Sequence, residues 1–238
     1  MTATRRETRL WLALLSALLL IYLAWPALDL PVSAWFYRPD SGFWIDDQPW
    51  VQAVHHTVPR VGRLLLVGSL AGWLLGRHAR QPGLRRLTRP AAALFLGLVF
   101  SLGLLVNGVL KEHWGRARPV QVTQFGGSAS FTPPWQPAAQ CRRNCSFVSG
   151  HAGTGFVLIT LGALAAPRRR RLWLVTGWSA GLLLGALRIV QGGHFLSDVL
   201  FGGILLWGTS LAIRACWTRW RLRRWHKLRQ IAARKAMT

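Results

Sequence analysis

Residues 91–110 read AAALFLGLVFSLGLLVNGVL, and Lys111 follows at once. At ~1.5 Å rise per residue, a helix of this length covers the roughly 30 Å of a bilayer's hydrocarbon core. The stretch contains no charge and presents no polar face, whereas a surface helix of a soluble domain keeps one. Five more apolar runs accompany it, at about 10–28, 61–76, 150–166, 172–187 and 198–214. The shorter ones reach span length by borrowing flanking residues. Together the runs predict an all-α, polytopic membrane protein: a six-transmembrane-helix bundle forming one domain over 1–238, with a basic tail at 215–238.

Composition agrees with this reading. The chain is 51% hydrophobic yet carries 30 Lys and Arg against 7 Asp and Glu, a formal net charge of +23. A soluble domain of this size normally intersperses both signs. More than two thirds of the cations fall at the N-terminus, in 77–89, in Arg168–Arg171 and from Arg214 onward. The positive-inside rule therefore places both termini in the cytoplasm and leaves 29–60, 111–149 and 188–197 on the outer face. The N-terminal run also has features of a cleaved signal peptide, but it is long for one and reads better as a retained helix. In the tail, arginine alternates with tryptophan, the pattern of a helix anchored among anionic lipid headgroups, so no nucleic acid is expected. Nothing in the sequence reports an oligomeric state. Cys141 and Cys145 share one outer loop, and an oxidising compartment permits a bond between them, with free thiols the alternative.

The outer segments concentrate the reactive side chains. Lys111-Glu-His-Trp-Gly-Arg-Ala-Arg118-Pro ends the longest apolar run, Ser149-Gly150-His151 opens the fourth, and Arg188 to Asp198, RIVQGGHFLSD, joins the last two. Lys111, Arg116, Arg118 and Arg188 lie at helix ends on one face, and converging guanidinium and ammonium groups suit a phosphate. Ser149 and Gly150 at a helix start offer a hydroxyl and unpaired amides to the same anion. His151, in the first turn, is a candidate general acid. His194 and Asp198 are spaced i, i+4; if both are helical, the carboxylate orients one ring nitrogen and frees the other as a nucleophile. Five of the seven acids precede residue 50, leaving Glu112 and Asp198 as the only later carboxylates. Asp46 and Asp47 read as solvated loop acids.

Lys111-x6-Arg118-Pro119, Ser149-Gly150-His151 and Arg188-x5-His194-x3-Asp198 together resemble the three-part signature of the type 2 phosphatidic acid phosphatase family. The resemblance implies a helical fold shared with soluble acid phosphatases and vanadium haloperoxidases. It further implies hydrolysis of a lipid phosphate through a phosphohistidine, with no metal or other cofactor. By position, His194 matches the family's nucleophile, Asp198 its orienting carboxylate and His151 the proton donor. Lys111, Arg118, Arg188, Ser149 and Gly150 match the phosphate clamp. Val148 stands where the family's second motif usually has proline. The NCSFVSGH form and the segment FWIDDQPW, residues 43–50, are similar to bacterial members acting on envelope lipids. The implied substrate is therefore a phosphorylated lipid such as lipid A, undecaprenyl pyrophosphate or phosphatidylglycerol phosphate. The implied place is the bacterial inner membrane, with the site facing the periplasm. A lipid phosphotransferase on the same scaffold and a non-enzymatic phospholipid-binding or transport protein are the alternatives.

Overall fold

The structure is a computed structural model that describes residues 2–235. Residues 236–238, the end of the expected basic tail, lie outside the described residues. Every regular element among those described is helical, as the apolar runs predict. Helix α1 covers Thr2–Ala24, and the short α2 covers Asp29–Ala34. Helix α3 covers Pro49–His78. A third rod combines α4 (Pro82–Leu96), a π-helix (Gly97–Leu110) and α5 (Lys111–His113). Helix α6 (Gly150–Phe156) continues as a 3-10 helix over Val157–Gly162. Helices α7 (Pro167–Val190) and α8 (Leu196–Lys235) complete the bundle. Pro49, Pro82 and Pro167 each open a helix, where a missing N–H costs nothing and the fixed φ is already helical.

Among the described residues, five helices are long and apolar enough to cross a membrane: Thr4–Ala24, Pro49–His78, Pro82–His113, Pro167–Val190 and Leu196–Ala232. The segment expected as the fourth of six spans, 150–166, is not among them. Its α and 3-10 parts together rise only roughly 22 Å, short of the hydrocarbon thickness. The physical reason is burial by protein on all sides. Ala152 to Phe156 are all buried, and α7, α8 and the third rod surround them. Gly155 sits against the backbone of Gly181, so close that a side chain on Gly155 has no room. An all-round apolar helix is the pattern of a lipid span and of a bundle's centre alike. Residues 150–166 lie at the centre, and they still carry the chain from the catalytic end of the bundle to the start of α7 at the other.

The segments joining α1 to α3, α5 to α6 and α7 to α8 gather at one end of the bundle. They carry their own apolar cluster of Phe43, Ala117, Val122, Phe125 and Phe195, with Tyr37 and Phe131 packed against it. This cap holds the 114–149 connection in place with little regular structure.

Candidate active site

Each predicted site residue is positioned by a helix end or by the capped connection. Lys111 closes the third rod and is buried, its Nζ donating to Asn144 Oδ1 at 2.8 Å. Four residues on, the chain turns at Gly115 (φ 69°) and brings Arg118 back, where its Nη2 donates to the Asn144 carbonyl at 2.8 Å. Asn144 itself adopts φ 52°, a left-handed conformation that asparagine tolerates better than most residues. Cys141 and Cys145 are joined in a disulfide that brackets it. Asn144 thus ties Lys111 to Arg118, and the sequence reading passed over it because a lone loop asparagine carries no signal.

Ser149 caps α6, its Oγ accepting from the Ala152 amide at 3.3 Å. Gly150 follows, close enough that a side chain there meets Lys111 Cε at 3.3 Å. His151 stacks on the ring of His55, with centroids 4.6 Å apart and planes 14° from parallel. Its Nε2 donates to the His55 carbonyl at 3.0 Å, so that nitrogen carries a proton. Arg188, in the last turn of α7, commits Nη1 to Gln191 Oε1 at 2.7 Å and to His55 Nδ1 at 2.8 Å. Its Nε is buried without a partner, and Gly193 packs against the guanidinium, where a side chain would have no room. Gln191 is held in turn by Asp46 Oδ1 at 2.7 Å. Asp46 is therefore not the idle solvated acid expected of it, but the anchor of the chain that aims Arg188.

The His194–Asp198 pair is present in a different form from the one expected. Helix α8 begins at Leu196, so His194 lies before it and the two residues do not share a helix face. Gly192 (φ 65°) turns the chain after α7, and the His194 amide donates to the Arg188 carbonyl at 3.2 Å. Asp198 reaches back over the start of α8 and accepts from the Phe195 amide at 2.8 Å, half of a capping box. His194 Nδ1 faces Asp198 Oδ2 at 3.6 Å and has no closer partner. That separation is longer than a hydrogen bond, and apo sites commonly close such gaps when substrate binds. Burial, reinforced by the charges of Lys111 and Arg118 and opposed by Asp198, holds the His194 imidazole well below its usual range. The ring is thus neutral at pH 7, as a nucleophile requires.

Arg116, counted with the phosphate-binding cations, belongs elsewhere. It is fully buried, with Nη1 on Asp198 Oδ1 at 2.6 Å and Nη2 on Asp29 Oδ2 at 2.7 Å. Asp29 also accepts from Tyr22 Oη at 2.9 Å and from the Ser197 amide at 2.9 Å. The guanidinium stacks over Phe195, 4.4 Å from the ring centre. The count of acids along the chain thus missed a partner. Asp29, more than 160 residues upstream, shares one cation with Asp198, and no sequence spacing links the two.

Lys111, Arg118, Gly150, His151 and His194 all line a cavity of about 510 Å³. Its remaining wall is mostly apolar, with Val58 and Leu66 from α3 and Leu98 and Leu102 from the π-helix. Arg188 opens instead into an adjoining recess of about 220 Å³, which shares Arg118 and His55 with the first. Ser149 and Asp198 stand fully buried behind the cavity surface. His55 lies outside all three predicted motifs, yet it touches both His151 and Arg188.

The chain is similar to known proteins. The PAP2 superfamily model matches residues 92–224. A protein of Francisella tularensis subsp. novicida named lipid A 4'-phosphatase is 34% identical over 197 residues, covering 82% of this chain and 89% of that protein. One of Rhizobium etli with the same name is 43% identical over 132 residues, 55% of this chain and 48% of that protein. A lipid A 1-phosphatase of Rhizobium etli is 36% identical over 158 residues, 64% of this chain and 63% of that protein. No solved structure matches. The family match spans more than half of the chain and the Francisella relative most of both sequences, so the chain belongs to the PAP2 superfamily.

Proposed function

We infer that this protein removes a phosphate monoester from lipid A, or from a close relative of it, through a phosphohistidine formed on His194. The broader assignment, a membrane lipid phosphatase of PAP2 type, rests on the family match and on relatives named as lipid A phosphatases. One observation supports the chemistry most directly: a cluster of cations and two histidines closes one end of a cavity whose remaining wall is mostly apolar. Such a cavity takes a phosphate at one end and an acyl-bearing body along the other.

In the proposed reaction, Lys111, Arg118 and Arg188 hold the phosphoryl oxygens. His194 Nε2 attacks phosphorus in line as the bond to the sugar oxygen breaks, and His151, which takes up a proton as the dianionic phosphate enters, gives that proton to the leaving oxygen. His151, now neutral, takes a proton from water, which attacks phosphorus and frees inorganic phosphate and His194. Prearranged cations meet the charge that develops on the equatorial oxygens, the largest catalytic effect expected here. Asp198 stabilises the imidazolium that His194 becomes, and Arg116 with Asp29 keeps Asp198 in place.

The positive-inside distribution supports a periplasmic site with both termini in the cytoplasm. Phosphate release from lipid A, phosphatidic acid and undecaprenyl pyrophosphate in detergent tests the reading. Lipid A is expected to be the best substrate, and His194→Ala is expected to lose on the order of 10⁴-fold in kcat. A His194→Ala protein as active as the wild type overturns the mechanism, while a transfer of labelled phosphate to a second lipid favours a phosphotransferase.

A further inference from the structure

At the end of the bundle away from the catalytic cluster, a groove of about 820 Å³ runs between the start of α4 and the start of α7. Arg85 and Lys111 lie 26 positions apart on one continuous rod, so the groove is roughly 35 Å from the phosphate clamp. The groove exists because the central segment is short. The 3-10 helix ends at Gly162, and the turn that follows places Leu164, Ala165 and Ala166 as a floor under the two flanking helices.

Four arginines rim it: Arg85, Arg86, Arg89 and Arg169. All are exposed, and among the described residues none has a carboxylate within ion-pair distance. Arg169 sits in the first turn of α7, and Arg85 and Arg86 are the fourth and fifth residues of α4; neither helix has an acid in its first turn. A helix N-terminus is the positive end of the dipole, so cations there are unfavourable until an anion arrives. Below the arginines the lining turns apolar, through Leu161 and Trp173 to Leu172, which is 61% exposed on the lipid-facing surface. A cationic rim above an apolar floor that opens sideways matches an anionic headgroup with its acyl chains, and a soluble anion has no use for the floor.

We propose that this groove is a binding site for one anionic phospholipid of the leaflet opposite the catalytic cluster. The guanidinium groups take the lipid phosphate, Arg offering the paired donors that phosphate geometry suits. The acyl chains lie along Leu161, Leu164 and Leu172. The site is independent of the proposed reaction. General attraction of surface cations to an anionic membrane needs no groove, and that difference makes the proposal testable.

The full-length protein is purified in mild detergent, delipidated and offered phosphatidylglycerol, phosphatidylcholine or inorganic phosphate, with bound lipid counted by native mass spectrometry. One phosphatidylglycerol per chain is expected, with phosphatidylcholine much weaker. A triple variant Arg86→Gln, Arg89→Gln, Arg169→Gln is expected to bind on the order of a hundredfold less tightly. The same charge removed from the tail, in Arg219→Gln, Arg221→Gln, Arg223→Gln, leaves binding unchanged. Ala165→Phe keeps every arginine and fills the floor, and it too is expected to lose the lipid; retained phosphatase activity shows that each variant is folded. Equal losses in the rim and tail triples overturn the proposal, as does undiminished binding in Ala165→Phe. Thermal stabilisation by inorganic phosphate that matches that by phosphatidylglycerol and is lost in the rim triple overturns it in favour of a soluble anion.

Discussion

His194 is buried and neutral, and this has a consequence for stability as well as for attack. A histidine whose folded pKa lies below its unfolded value leaves the unfolded chain binding more protons once pH falls below about 6.5. Stability is therefore full above that pH and declines as pH falls through the window beneath it. Thermal unfolding of the wild type between pH 7.5 and 5 is expected to show the decline, and His194→Gln is expected to flatten it. If His194 is the nucleophile proposed above, activity follows the same direction, since its protonation is displaced to well below the ordinary range. Asp29 provides the second residue-level prediction. Replacing it by Asn leaves Arg116 with half of its charge partners in a fully buried site. Breaking such a pair costs about 3 kcal/mol. Asp29→Asn is expected to lower stability by about that amount, measured by thermal unfolding, and to lower kcat more than it alters KM, because Asp198 loses its support.

At the scale of elements, α3 contributes the most that the motifs did not announce. Through His55 it stacks on His151 and accepts from Arg188, and one turn later it lines the cavity with Val58 and Pro59. The helix that meets the lipid body thus also positions the groups that meet the phosphate. His55→Ala is expected to reduce kcat on the order of 10²-fold, the effect of a small misplacement of reacting groups, with the fold retained. Leu66→Trp narrows the apolar part alone. It is expected to raise KM about tenfold for a long-chain lipid while leaving hydrolysis of a short soluble phosphate ester near the wild-type rate. A parallel loss on both substrates counts against the division of the cavity into a phosphate end and a chain end.

For the whole molecule, a second polar cluster secures the opposite end. Glu7 accepts from Arg170 through both oxygens at 2.6 Å and from Trp207 Nε1 at 2.9 Å, and Trp11 Nε1 donates to the Ile204 carbonyl at 2.8 Å. These contacts bind α1 to α7 and α8, so the N-terminal helix is part of the bundle. Glu7→Gln is expected to destabilise the protein by ~1–3 kcal/mol, seen as a lower unfolding temperature in detergent. Because the two polar clusters lie at opposite ends, activity toward substrate is expected to change far less than stability.

Much of this was legible in the chain. Apolar runs and the placement of arginines predict a helical membrane bundle, because lipid demands internally satisfied backbone and uncharged spans. The spacing of Lys111, Arg118, Ser149, Gly150, His151, Arg188, His194 and Asp198 announces the chemistry, because these residues stand at helix ends where apolar sequence has no need of them. Three things were decided only by the tertiary structure. Whether residues 150–166 meet lipid or protein is a matter of neighbours, since both environments select the same apolar pattern. The partnership of Asp29, Arg116 and Asp198, and that of His55 with His151 and Arg188, join distant segments, and no local period encodes such pairs. The geometry of His194 before α8 depends on where that helix starts, and the start is set by the Asp198 carboxylate folding back onto its first turn.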